Sequence, residues 1–189
     1  LTDIKGTANT FNTFDANGNM TGKGGDSYSY DYEDRLIQST IAGVITHYSY
    51  DGMGNRLAKT EGTATTRYIL DTNGSLSNVL AETDGSGSIT AYYVYGLGLI
   101  SKILPDGTAY YYHYDSRGST VALTDAGENI TDKDAYDPFG KLVNSTGSTT
   151  NPFKYVGRFG VMDEGNGLDY IRARYCMPEV GRFINKDLL

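Results

Sequence analysis

Residues 110–120 read YYYHYDSRGST, four tyrosines and a histidine in five consecutive positions running into an aspartate and a glycine. In an extended strand successive side chains alternate between faces, so Tyr110, Tyr112 and Tyr114 share one face. Asp115 can accept the backbone N–H two residues on and close an Asx-turn. Gly118 tolerates the left-handed conformation that such a corner demands. The stretch therefore predicts a strand, a tight turn and the start of a return strand. Tyrosine suits the wall of such a sheet, because a ring buries roughly 150–250 Å² and keeps a hydroxyl for a partner.

Paler copies occur along the chain: FDANGNMT from Phe14, YDYEDRLIQST from Tyr30, YDGMGNRLAKT from Tyr50, LDTNGSLSNVL from Leu70 and YDPFGKLV from Tyr136. The first four begin 16, 20 and 20 residues apart, and a degenerate unit, YGLGLISKI from Tyr95, precedes Tyr114. The consensus is aromatic-Asp, two variable residues, Gly-Asn or a substitute, then an apolar residue. Its structural positions are Phe14 and Asp15, Tyr30 and Asp31, and Tyr50 and Asp51 with Gly54 and Asn55. Tyr114 and Asp115 with Gly118, and Tyr136 and Asp137 with Gly140, complete the set. Each unit is a β-hairpin, and stacked hairpins form a continuous sheet.

Composition agrees. The chain has 17 Tyr against 6 Phe, no Trp and 24 Gly in 189 residues, a balance foreign to helical bundles and to disordered tails. Sixteen basic against 23 acidic side chains give a net charge of −7, which argues against a nucleic-acid partner. No apolar run is long enough to span a bilayer. Cys176 stands alone, so no internal disulfide or thiolate metal cage forms. The chain starts at Leu1 and stops at Leu189 just after a patterned segment, the expectation for a piece of a longer protein.

The tandem YDxxGN units resemble the YD repeats of the RHS family, which includes Rhs polymorphic toxins, the cocoon subunits of insecticidal toxin complexes, and teneurins. Ala135–Asp187 is similar to the family's RHS-associated core segment, through YDPFG, PFKYVGR, GLDYIRARY and PEVGRFINKD, the last containing Gly181 and Arg182. The resemblance implies an all-β fold in which YD-repeat hairpins form a curved or spiralling antiparallel sheet, a fragment of an RHS shell. Residues 1–134 would be YD repeats, degenerate in 70–113. Residues 135–189 would be the core segment, continuous with the same sheet. In complete members such a shell encloses a toxic C-terminal domain or forms a barrel used in cell contact.

The resemblance also raises self-cleavage, since some shell members are aspartyl autoproteases, and paired carboxylates suit that chemistry. Asp187 matches the aspartate of the core's terminal DP motif. Leu188 replaces the proline, however, and Met177 stands where many members have aspartate, so Asp187 reads better as a strand-end residue than as a remnant catalytic one. Arg172, Arg174 and Arg182 could bind an anion. Stacking on aromatic rings or pairing with carboxylates is preferred, with Arg172 and Arg174 on the face of Tyr170. His47 and His113 occupy similar repeat positions and lack the further ligands that zinc needs. Asp15, Asn17 and Asn19, and Asp71, Asn73 and Ser75, alternate oxygen ligands as calcium loops do, but glycine falls fourth, where a hairpin wants it. Cys176 has no histidine near it in sequence and suits packing. Gly85–Ser88 reads as a hairpin tip, not a phosphate cradle.

No cofactor or metal is expected, and no enzymatic activity within this chain. The leading expectation is a structural shell segment of a secreted or cell-surface Rhs-type protein. Its partners would be the rest of the parent shell or further copies, a C-terminal toxin cargo or a cell-surface partner, with no nucleic acid and no membrane span. The alternatives are an extracellular binding or self-assembly module with a Tyr-rich face and open sheet edges, and a remnant aspartyl autoprotease.

Overall fold

The computed structural model describes residues 11–74 and 76–187. Fourteen strands follow one another in a single meander: β1 (Asn12–Phe14), β2 (Met20–Lys23), β3 (Asp26–Tyr30), β4 (Leu36–Ile41), β5 (Val44–Tyr50), β6 (Arg56–Glu61) and β7 (Ala64–Asp71), then β8 (Asn78–Thr83), β9 (Ile89–Tyr95), β10 (Leu99–Ile103), β11 (Ala109–Tyr114), β12 (Thr120–Thr124), β13 (Ile130–Tyr136) and β14 (Leu142–Thr146). Each strand pairs antiparallel with its predecessor and successor in sequence. The all-β expectation holds, and the stretch 70–113 keeps the same hairpin plan despite its weak motif.

The aspartate corners close as their chemistry demands. At Asp51 the backbone N–H donates to the Asn55 carbonyl at 2.9 Å and Gly54 N–H returns to the Asp51 carbonyl at 3.1 Å. The carboxylate accepts from the N–H groups of Met53 and Asn55 at 2.9 and 2.8 Å. Gly54 and Gly118 take φ of 86° and 88°, the left-handed values their place in the turn requires. Asp34, at φ 58°, fills the same place in the Tyr30 unit. The same five-residue closure recurs at the opposite end of the strands, at Asp84, Leu104 and Asp125. The Gly85–Ser88 stretch is thus a hairpin tip, as its composition implies.

Curvature has a repeated local cause. At all seven aspartate-side corners the register slips by one residue: Ser49 faces Ala58 but Tyr50 faces Arg56, and His113 faces Ala122 but Tyr114 faces Thr120. An extra residue on one strand bends it and increases the local twist. The skipped residues include Ile37, Leu57, Leu80, Ile100 and Val143, all exposed on the outer side.

The tyrosines divide into two rows. Tyr28, Tyr48, Tyr68, Tyr93 and Tyr112, each two residues before a corner aromatic or its equivalent, are buried core. Tyr30, Tyr50, Tyr114 and Tyr136, at the corners, are half-buried, and their hydroxyls point back to the preceding hairpin. They donate to the carbonyls of Met20, Leu36, Leu99 and Thr120 at 2.7–2.8 Å. Each acceptor opens a return strand, so at these four junctions neighbouring hairpins are clipped together by one hydrogen bond. In the opening stretch, Tyr110, Tyr112 and Tyr114 do share the inner face, while Tyr111 and His113 are exposed.

One expectation needs correction. The segment from residue 135 stays in the large sheet only through β14. The chain then turns inward and builds a second sheet of four short strands: β15 (Met162–Asp163), β16 (Asp169–Ile171), β17 (Arg174–Met177) and β18 (Arg182–Phe183). The physical reason is the wall itself. Its concave row of tyrosines must be covered, and Phe153, Leu168, Tyr170, Tyr175, Met177 and Ile184 cover it.

Candidate functional site

The inner sheet meets the curved wall through a buried polar centre. Arg56 occupies the first position of β6, where sister hairpins place Met20, Leu36 and Leu99. A guanidinium in an apolar slot must find an anion, and Glu164 supplies it, the two side chains being 1% exposed. The Arg56 guanidinium lies 4.0 Å from the ring centre of Tyr170, 4.8 Å from Tyr68 and 5.9 Å from Tyr48. It also donates to the Tyr175 hydroxyl at 3.1 Å. Burial, the largest single influence, works against its charge, but Glu164 together with Tyr68, Tyr175 and Tyr170 outweighs it and holds Arg56 well above the ordinary arginine range. Lys59 completes the group, donating to the Glu164 carbonyl at 2.8 Å with its ammonium 3.3 Å from the carboxylate. This centre joins wall to plug by charge as well as by packing. Reading the sequence missed it, and the one local signal was arginine standing where the repeat calls for an apolar residue.

A second seam pins the end of the chain to its first hairpins. Met20 N–H donates to the Ile184 carbonyl at 2.7 Å, and Lys186 N–H to Asn19 Oδ1 at 2.7 Å. Asn19 in turn donates to Asp34 at 2.7 Å, and Asn185 to the Asp34 carbonyl at 3.1 Å. Asn17 and Asn19 are therefore spent on hydrogen bonds within and between hairpins.

The other candidates are scattered. Asp187 is half-exposed and paired with Arg174 at 2.8 Å, past the end of β18. Arg174 also lies 3.7 Å from the Phe183 ring centre, the stacking and pairing expected of it. Arg172 does not share a strand with Arg174. It sits at φ 56° in the β16–β17 turn and donates to the carbonyls of Ser77 and Phe159. Arg182 is exposed on β18, and Gly181 stands against Phe139 of the last aspartate corner. His113 hydrogen-bonds Thr124 at 3.0 Å. Cys176 is half-buried on β17, its thiol pushed up to about 11 by burial and then by Asp169. Asp71 binds the Asn73 N–H at 3.0 Å, while Ser75 lies outside the described residues, as do Leu188 and the first ten residues. Among the described residues no three His, Cys, Asp or Glu side chains are grouped to hold a metal ion, and no helix is long and apolar enough to cross a membrane.

A cleft of about 570 Å³ opens between the two ends of the large sheet, with Tyr28 and Ile41 on one wall and Tyr136 and Leu142 on the other. The β15–β16 turn forms its floor. Asp163 and Asp169 face each other there across the strand pair, and Asp163 is paired with Lys154 at 2.9 Å. Burial, then Asp163 and Glu164, push Asp169 up to about 7.

Known proteins share this architecture. The chain is 35% identical over 182 residues to the tRNA nuclease WapA of Bacillus subtilis strain 168, an alignment covering 93% of this chain and 8% of WapA. It is 25% identical over 193 residues to double-stranded DNA deaminase toxin A of Burkholderia cenocepacia strain H111, covering 85% of this chain and 13% of that protein. This chain thus spans a small fraction of either relative. Among solved structures, the Photorhabdus luminescens Tc holotoxin pore superposes with a TM-score of 0.71 at 18% identity, over 92% of this chain and 9% of the matched one. The TcdB2-TccC3 structure gives 0.69 at 18% identity, over 92% and 10%. Such identities speak for the fold alone. The teneurin YD-shell family matches residues 3–189. With its clipped YD hairpins wrapped around their own core segment, the chain belongs to the teneurin YD-shell family and carries the shell fold of Rhs and Tc toxin proteins.

Proposed function

We propose that the chain is the structural shell segment of a secreted or cell-surface Rhs-type protein, and that in its parent it encloses or presents a C-terminal toxin domain. The observation that carries this is the use of the inner face. The repeat tyrosines are buried or clipped, and the core segment packs against them. Asp187 is paired with Arg174, a use of its carboxylate that favours a strand-end role over a catalytic one. The nucleic-acid activities named for the relatives would then belong to other parts of those longer proteins. The partners are the remaining shell of the parent and the domain it holds.

The test uses the parent protein. Phe153→Asp puts a charge at a fully buried contact between plug and wall. A shell role predicts that the downstream domain becomes sensitive to limited proteolysis while its activity, measured on the isolated domain, is unchanged. Equal protease resistance with and without the substitution refutes enclosure.

A further inference from the structure

The cleft between the sheet ends contains one group that the fold leaves unused. Asp169 is 6% exposed. Its side chain has no hydrogen-bond or ion-pair partner among the described residues, and it lines the cleft. Buried carboxylates are ordinarily paired or hydrogen-bonded, because an isolated one is expensive to desolvate. Of the lysines that line the cleft, Lys154 is held by Asp163 and Lys23 by Glu179, and Lys141 stands exposed beside β14. Around this carboxyl the walls are mixed. Tyr28, Ile41, Leu142 and Leu168 offer apolar surface, while Asp26 and Glu179 stand at the rim, Glu179 engaged by Lys23 at 2.5 Å.

We propose that this cleft is a binding site for a primary ammonium on an aliphatic stem, the lysine side chain of a polypeptide, with the Asp169 carboxylate as its counter-ion. The reading is independent of the shell role. An anionic ligand would meet the Asp163 carboxylate and, above about pH 7, the ionised Asp169 as well. A neutral apolar one would leave Asp169 buried and unpaired. A guanidinium prefers planar, multiple acceptors, whereas a compact ammonium is served by a single free carboxylate. The apolar walls suit the methylenes that such a side chain buries behind its charged head.

The environment of Asp169 supplies a signature. Asp163 faces it from β15, Cys176 from β17 and Tyr136 from β13, with Glu164 and Lys154 nearby. Only Lys154 favours the ionised form, so the free site holds its proton up to about pH 7. An ammonium binds the ionised form. Its affinity must therefore rise as pH increases through 7 and level off above it.

The probe is Nα-acetyl-lysine N-methylamide, titrated into the whole chain and followed by amide chemical shifts. The expected result is saturable shifts at Gly167–Tyr170. The norleucine counterpart should bind at least about tenfold more weakly, the arginine counterpart should bind no better than lysine, and affinity should increase several-fold between pH 6 and 7.5. Asp169→Asn should abolish the shifts, while Asp26→Asn at the rim should keep them. If Asp169→Asn does not fold, the probe comparison and pH profile on the unmodified chain decide. Absent shifts, shifts confined elsewhere, equal binding of norleucine, tighter binding of arginine or a flat pH profile would each overturn the assignment.

Discussion

Replacing Glu164 with leucine leaves the Arg56 guanidinium buried without its carboxylate. Breaking a buried pair from one side costs about 3–5 kcal/mol, because the surviving charge stays desolvated. The Tyr170, Tyr68 and Tyr48 rings remain in place around the cation and offset about 1–2 kcal/mol of that. Glu164→Leu should therefore lose about 3 kcal/mol. Arg56→Met, which installs the side chain that Met20 provides in the first hairpin, should lose a similar amount, since Glu164 keeps only Lys59 at 3.3 Å. The double variant removes both charges. What remains is a pair of tyrosine hydroxyls, on Tyr68 and Tyr175, that have lost a donor, at about 1–3 kcal/mol. Lys59, a fifth exposed, can turn to water. The double loss should thus be about 3 kcal/mol where the singles sum to about 6, a coupling near 3 kcal/mol. Urea unfolding of the four proteins, with unchanged slopes, measures it. Additivity within about 0.5 kcal/mol would show that the charge pair does not join wall and plug.

Tyr112→Ala, in the buried row, should cost about 3–5 kcal/mol, and Tyr114→Phe, which removes only the clip to the Leu99 carbonyl, about 1 kcal/mol; urea midpoints compare them directly. Gly54→Ala should cost only the left-handed strain of about 1–2 kcal/mol, as nothing lies near its Cβ, whereas Gly118→Ala adds a contact 2.7 Å from the Phe159 ring and should cost more. Two opposed pH effects are expected in the same assay. Asp51, lowered first by its hydrogen bond from Asn55, stabilises the fold above the ordinary aspartate range, and that stability is lost as pH falls through its depressed value. Asp169 is raised, so the native state holds the extra proton and stability falls as pH rises from about 4 towards 7; Asp169→Asn should flatten that second slope and leave the first.

Much of the wall was legible in the residues because its rules are local. A tyrosine, an aspartate and a glycine within five positions specify a corner at Tyr50 or Tyr114 whatever lies elsewhere, since the hydrogen bonds that close it reach no further than the next residue, Asn55 or Ser119. The stretch from 70 to 113 lost the tyrosine-aspartate signature yet kept the hairpin plan. Its corners close through the Asp71 carboxylate, which accepts from the Asn73 N–H, and through the Gly96 N–H, which donates to the Gly98 carbonyl. Asp84 with Gly87 and Leu104 with Gly107 close the opposite ends of the hairpins. The plug was not legible. Arg56 and Glu164 are 108 residues apart, and no periodicity links a charge on a strand to a charge in a distant turn. Nor does alternation within Asp169–Met177 reveal that Arg172 bends the chain into a hairpin, because a left-handed arginine has no signature of its own. The burial of the tyrosine rows also depended on that plug. Without it, the row at Tyr48, Tyr68 and Tyr93 would face an open concavity.

The hydroxyl clips run one way. Tyr30, Tyr50, Tyr114 and Tyr136 each reach towards the amino-terminal neighbour, never the following one. Each hairpin closes its own turn with bonds internal to it, while the carbonyl that opens its return strand is taken up by the next corner, so these layers are mortared from the carboxy-terminal side. The same asymmetry makes the two ends unequal to trimming. Removing hairpins from the amino-terminal side takes the carbonyl from a phenol, which at Tyr30 and Tyr50 keeps a second partner in Ile184 and Tyr175, whereas removing them from the other side frees a carbonyl that water can satisfy where the wall is open.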